Sequence, residues 1–170
     1  IVSTNPDAYG LERARKAGIE NIYIESEKKG FCPNFEAGLD KELRARKIDL
    51  IILAGFMKIL SEDFVSKYVD RIINVHPSLI PSFCGKGAYG LHVHEMALNY
   101  GVKVTGATVH FVNEVPDGGK IILQKAVEVK ADDTPETLQR RVMEEAEWIL
   151  LPRAAEMVSR KILEGSHESL

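Results

Sequence analysis

The chain has 170 residues, 45% of them apolar and 28% charged, with a net charge of −3. That is enough for one soluble domain with a sizeable core, and the lack of a basic stripe interleaved with aromatics argues against a nucleic-acid partner. No apolar run approaches the ~20 residues that cross a bilayer and no signal peptide is visible, so the expected setting is the cytoplasm, without a membrane partner.

Ile1-Val2-Ser3 runs straight into the turn residues Asn5-Pro6-Asp7, which predicts the end of a strand that begins ahead of residue 1. Asp7 to Ala17 predicts a helix, with Leu11, Ala14 and Ala17 three apart and Gly18 as its stop. Ile22-Tyr23-Ile24 predicts a short strand, Phe31 to Asn34 a loop around Pro33, and Phe35 to Lys47 a helix with Phe35, Leu39 and Leu43 on one side. Asp49 to Ala54 carries a continuous apolar run, the pattern of a strand buried on both faces of a parallel sheet, and Gly55 ends it. Ser61 can cap a short helix through Tyr68, with Glu62 and Asp63 in its first turn. Arg71 to Val75 predicts the next buried strand. Gly85 and Gly87 allow sharp bends after a Pro-rich loop.

Tyr89 to Tyr100 predicts a helix closed by Gly101. Val102 to Val112 and Lys120 to Lys130 predict two long strands, and the turn residues Asn113 to Gly119 join them as an antiparallel hairpin. Thr134-Pro135 starts the longest helix, Thr as N-cap and Pro at N1, with Leu138, Val142 and Ala146 on its apolar face. Pro152 is expected to kink or break that helix before a second piece through Leu163. Strands alternating with helices of about ten residues predict an α/β fold with a doubly wound, Rossmann-like, mostly parallel sheet, the hairpin excepted. One domain over residues 1–165 and a loose tail at 166–170 are expected.

In open α/β sheets, ligands bind at the carboxyl ends of strands. Ile72 to Pro81 has that character. Asn74 and His76 are two apart, so a strand carries both on one face, and Pro77 keeps His76 out of the helical region. This reads as an amide donor and an imidazole fixed at a strand tip, or as a strand end with a buried, hydrogen-bonded histidine. His110 alternates with Thr108 and faces a polar pocket or a cross-strand partner. Asp117 lies between Pro116 and two glycines that permit positive φ and close approach. It is a carboxylate able to orient a histidine or a water, or a plain hairpin turn. Gly55 to Leu60 is apolar where the chain should meet water, and either walls a pocket for an aromatic ligand or packs under the next helix.

The other candidates are weaker. His92 and His94 point different ways on a helix and make a poor metal pair, so they read as a solvated or locally hydrogen-bonded face. His167 lies in the tail. Cys32 and Cys84 stand apart without CxxC spacing, which predicts two reduced thiols and no metal site. No nucleophile elbow, Walker loop or dinucleotide fingerprint is present.

Taken together, Leu53 to Leu60, Asn74 to Pro81, His110 to Gly119 and Ile122-Leu123-Gln124 resemble the glycinamide ribonucleotide formyltransferases, the folate-dependent enzymes of purine synthesis. The similarity runs from the first residues to about Leu163. It implies transfer of a formyl group from 10-formyltetrahydrofolate, as donor cosubstrate, to the amine of glycinamide ribonucleotide. It implies Asn74, His76 and Asp117 as catalytic residues. Met57, Lys58, Ile59 and Leu60 with Val112, Asn113, Glu114, Val115 and Pro116 would hold the folate, and Glu147 the ribose.

Formyltetrahydrofolate hydrolases and methionyl-tRNA formyltransferases share the Asn-x-His core and the distant Asp. Pro77 after His76 is the purine-enzyme form, whereas the hydrolases resemble His-His-Ser there. The tRNA enzymes carry an extra C-terminal domain and would need a basic surface. Three departures stand out. The family's Gly-Ser-Asn phosphate loop, a helix N-terminus device, would precede residue 1, which makes a folate-binding fragment with little activity an expected alternative beside the hydrolase. Lys58 stands where an Arg is common. The segment Cys84 to Tyr89 is longer than in some relatives.

Overall fold

The computed structural model describes residues 1–26 and 33–165. Phe31 and Cys32 of the predicted loop, His167 and the predicted tail lie outside the described residues. The rest forms two compact units, Ile1–Ile48 and Asp49–Leu170.

The first unit contains β1 (Val2–Ser3), α1 (Tyr9–Lys16), β2 (Ile22–Tyr23) and α2 (Pro33–Ala45). β1 and β2 pair in parallel, Val2 beside Ile22. Leu11 and Ala14 of α1 and Phe35, Leu39 and Leu43 of α2 are buried as the spacing predicts, while Ala17, expected on the same face, is exposed at the end of α1. Gly18, at φ 68°, takes the left-handed turn after α1. α2 begins at Pro33, two residues earlier than expected, so the predicted loop around Pro33 is the first turn of a helix.

The second unit contains β3 (Ile51–Leu53), α3 (Glu62–Ser66), β4 (Ile72–His76), α4 (Leu91–Tyr100), β5 (Val104–Phe111), β6 (Ile121–Glu128), α5 (Pro135–Val142), a π-helical turn (Met143–Glu147) and α6 (Trp148–Glu164). Its sheet has the order β3-β4-β5-β6. β3 and β4 are parallel, and the hairpin β5–β6 is antiparallel as expected. β4 and β5 are antiparallel too, His76 facing Thr108 and Asn74 facing His110. α4 returns the chain so that β5 begins beside the loop after β4 and runs back toward the start of that strand, which brings His110 beside Asn74. β3 is not buried on both faces: Ile51 is buried while Ile52 is 45% exposed. Among the described residues no helix is long and apolar enough to cross a membrane.

The core joins Ile73, Ala107, Val109 and Phe111 of the sheet to Leu138, Val142, Ala146, Leu150, Ala154 and Val158. These last six are spaced by four. A strict spacing of four overshoots the 3.6-residue turn, so an unbroken α-helix would carry the stripe slowly off the sheet. The π turn, closed by wider i→i+5 bonds, takes up the surplus. The kink or break predicted at Pro152 is not found there. α6 continues through Pro152, and the irregular turn ends at Glu147, just before the Trp148 carbonyl that the proline ring would crowd. α5 itself starts as predicted: Thr134 Oγ1 accepts from Thr137 N–H, Thr137 Oγ1 accepts from Thr134 N–H, and Pro135 opens the helix. α4 starts at Leu91 rather than Tyr89, because Gly90 at φ 55° precedes it in a conformation no helix contains.

Candidate active site

The strand β4 ends in Asn74 and His76, and the loop beyond it is fixed to the neighbouring strands. Thr108 Oγ1 donates to the Ser78 carbonyl (2.7 Å) and accepts from Ile80 N–H (3.1 Å) and Gln124 Nε2 (3.0 Å). Gln124 also donates to the Ile80 carbonyl at 3.0 Å, and buried Ser78 donates to the Ser82 carbonyl at 2.5 Å. Thr108 is thus a fully satisfied buried hydroxyl, and the Pro-rich loop is held by side chains of β5 and β6.

Asp117 sits on the loop between β5 and β6. Its own φ is 56°, so the left-handed residue of this turn is the aspartate and not either glycine after it. The glycines serve close approach instead. A Cβ on Gly119 would fall 1.8 Å from the Phe111 carbonyl oxygen. A bulge lies at the same end: Val109 pairs with Leu123 but His110 with Ile121. Bulges of this kind re-aim side chains near sites.

The three predicted catalytic residues come together around Asp117, with a fourth. His76 Nε2 donates to the Phe83 carbonyl at 2.9 Å, which turns Nδ1 toward Asp117 Oδ2 at 3.5 Å. His110 is placed in the same way. Its Nδ1 donates to the Phe111 carbonyl at 2.7 Å, and Nε2 lies 3.6 Å from Asp117 Oδ1. These hydrogen placements follow from carbonyls being acceptors only. Asn74 Nδ2 lies 3.3 Å from His110 Nε2, so both readings of His110 hold: it is a cross-strand partner and it faces a polar pocket. Gly85 N–H donates to Asp117 Oδ2 at 2.9 Å. Burial pushes the Asp117 carboxyl up, but the His110 and Gly85 hydrogen bonds and the two imidazole charges outweigh it and hold the carboxyl below its usual range.

Above these groups lies a cavity of about 250 Å³. Met57, Lys58, Ile59 and Leu60 line it, as do Val112, Asn113, Val115 and Pro116, together with Leu53, Phe56, Asn74, His110 and Asp117. In the apolar loop Leu60 is buried, while Met57 and Ile59 line the cavity and stay exposed. Gly85 to Tyr89, the longer segment, closes one side. Glu114 is exposed and outside the lining. Glu147 is outside it as well, on the π turn, its carboxyl pushed up by burial. His76 also stays off the lining. It is buried behind Asp117, with both ring nitrogens engaged.

Cys84 donates to the Pro81 carbonyl at 3.2 Å, and burial first and the Asp117 charge second push its thiol up, which disfavours the thiolate. His92 is exposed and paired with Glu95 at 3.0 Å, as a surface histidine should be. His94 corrects the expectation of a solvated face. It is 1% exposed, and neither ring nitrogen has a partner among the described residues. Burial, and then the nearby charge of His76, lower it to about 4, so it is neutral at physiological pH. Sequence reasoning left His110 unassigned and missed the Gly85 N–H. The alternation with Thr108 and the glycine pair of the longer segment were the available signals.

An open α/β sheet, an Asn-x-His strand end and a carboxylate delivered by a hairpin loop beneath an apolar cavity define a class that the sequence comparison identifies. Residues 1–154 match the model of the formyl transferase family, and the chain belongs to it. Within that family the similarity is to phosphoribosylglycinamide formyltransferases. The enzyme of that name from Escherichia coli is 41% identical over 142 residues, 84% of this chain and 65% of its own length. The crystal structure of the Anaplasma phagocytophilum enzyme superposes with a TM-score of 0.83 at 37% identity, covering 94% of this chain and 74% of that one. The trifunctional purine biosynthetic protein adenosine-3 of Gallus gallus is 45% identical over 159 residues, 94% of this chain but 15% of that protein. The chain therefore spans less than two thirds of these two curated relatives.

Proposed function

We propose that this chain transfers a formyl group from 10-formyltetrahydrofolate to the amine of glycinamide ribonucleotide, a step of purine biosynthesis. The observation that carries the reading is Asp117 at 3.5 Å from His76 Nδ1 and 3.6 Å from His110 Nε2, beneath an apolar cavity that Asn74 also lines. The names of the relatives support it.

The donor's flat ring needs apolar walls and a few edge hydrogen bonds. Phe56 to Leu60 with Val112, Asn113, Val115 and Pro116 offer both, through side chains and backbone. As the amine nitrogen bonds to the formyl carbon, negative charge builds on the formyl oxygen. Asn74 lines the cavity and can donate an amide hydrogen to that oxygen. A donor of this type is typically worth ~10²–10³ in rate. The bond from the formyl carbon to the folate nitrogen then breaks. The amine's proton must leave and that nitrogen must gain one. Asp117, ionised among its neighbours, accepts the first directly or through a water and returns it to the departing nitrogen. His76, behind it, compensates the carboxylate charge and relays the proton through Asp117. Glu147 is assigned to the ribose of the second substrate.

The test is release of tetrahydrofolate from 10-formyltetrahydrofolate with and without glycinamide ribonucleotide. Transfer requires the amine. Equal release without it would identify the hydrolase instead.

A further inference from the structure

Phe83 has a backbone φ of 50°, in the left-handed region that bulky residues rarely occupy. A backbone outlier of this kind has a cause that holds it and a consequence for its neighbours. The consequence here is that the Phe83 carbonyl accepts from His76 Nε2 at 2.9 Å. The cause lies in the side chain. The Phe83 ring stands edge-on to Tyr100, centroids 5.9 Å apart at 69°, the favoured geometry for an aromatic pair. The preceding carbonyl, of Ser82, accepts from buried Ser78 Oγ at 2.5 Å. Two successive carbonyls of this loop are thereby aimed back at the end of β4. Tyr100 is the last residue of α4 and is 81% exposed, so its ring serves no core.

The geometry points to Phe83 as a positioning residue that acts through its carbonyl on His76, with Tyr100 as its buttress. A backbone carbonyl accepts only, so a proton resides on Nε2 and Nδ1 is the nitrogen presented to Asp117 at 3.5 Å. Were the loop free to relax to negative φ, this carbonyl would swing away. The ring would then be free to change tautomer or to rotate about its Cα–Cβ bond. This inference rests on the formyl-transfer reading for its effect on rate, but not for its effect on the ring.

The experiment compares the full chain with Phe83→Gly, Tyr100→Ala and Tyr100→Phe. The readouts are the ring-nitrogen NMR shifts of His76, kcat and KM for transfer, and the thermal midpoint. Gly removes the ring that meets Tyr100 and populates negative φ as readily as positive, so the side chain no longer fixes the carbonyl, whereas Tyr100 is exposed enough to be truncated without loss of core. In the parent, neutral His76 should carry its proton on Nε2. Phe83→Gly and Tyr100→Ala should show mixed tautomers and a kcat lower by about tenfold, since sub-ångström misplacement of a reacting group is costly. KM for the donor should stay within about twofold because the cavity wall is untouched. Tyr100→Phe should behave as the parent. A parent-like tautomer and kcat in Phe83→Gly overturns the inference, as does a Tyr100→Phe variant as perturbed as Tyr100→Ala. If the parent transfers no formyl group, the function reading fails, and the His76 tautomer still decides this inference.

Discussion

Asp117 occupies a left-handed turn position that aspartate tolerates, and from it the carboxylate reaches His76, His110 and the Gly85 N–H together. Replacing it by Asn keeps the shape and removes the charge. Asp117→Asn should lose transfer by at least ~10², the usual cost of a general base, while a non-reactive folate analogue binds within about threefold of the parent by titration calorimetry. Near-parental turnover would refute the assigned role. His94 makes a second prediction of a different kind. Folded, it takes a proton only near pH 4, whereas unfolded it does so near 6.5. Between these values the unfolded chain binds a proton that the folded chain refuses, so stability falls as pH drops through that window. His94→Phe should remove the effect. Urea unfolding at pH 7 and pH 5 should show the parent losing about 2 kcal/mol more than the variant, because each tenfold difference in proton affinity between the two states is worth ~1.4 kcal/mol.

Among the elements, the stretch from α5 to α6 is held at its start by ions and along its length by packing. Arg141, in the last turn of α5, pairs with Asp133 through two bonds of 2.6 and 2.5 Å and donates to the Glu128 carbonyl at 3.0 Å, tying that turn to the residue ahead of the helix and to the end of β6. The Arg141 hydrogen bonds hold the Asp133 carboxyl at about 2, against an ordinary value of 3.8. A depressed carboxyl contributes stability above its unfolded value, and loses it as pH falls through the folded one. Asp133→Asn should therefore cost about 1–2 kcal/mol at pH 7, in the range of charged hydrogen bonds. The difference from the parent should shrink between pH 4 and pH 2. A destabilisation that is constant with pH would show that packing, and not the charge, is responsible. The four-residue stripe of α5 and α6 was visible from Leu138 to Ala146, but its reading as a helix broken at Pro152 was not right. Propensity locates the proline, while packing against β5 and β6 decides where the surplus residue is absorbed.

For the molecule as a whole, the proposed donor site must appear as ligand-linked stability. A folate analogue that binds the folded chain alone, at one hundred times its Kd, should stabilise it by about 2.7 kcal/mol and raise the thermal midpoint accordingly. Met57 and Ile59 are 62% and 65% exposed at the cavity and bury little without ligand. Met57→Ala should thus leave the free protein's midpoint unchanged and reduce the ligand-induced shift. An equal loss in both states would mean the loop serves packing only.

Local patterns in the chain determined the strands and helices of the second unit, the caps at Ser61 and Thr134, and the pairing of Asn74 with His76 on one strand face. They did so because periodicity, capping and the constraint before proline act over a few residues. The resemblance chose the catalytic reading of Asp117 and the pocket reading of Gly55 to Leu60, and added Val112 to Pro116 and Glu147. Packing in three dimensions settled the rest. The antiparallel return of β5 put His110 opposite Asn74, and the turn at Phe83 placed a carbonyl on His76. The packing of α4 left His94 dry, although its helical neighbour His92 is in water. Each of these is a meeting of groups far apart in sequence, or the burial of one of two similar side chains. Whether a polar atom finds water, a carbonyl or nothing is settled by the packed interior, where the cost of an unpaired group depends on what lies across from it.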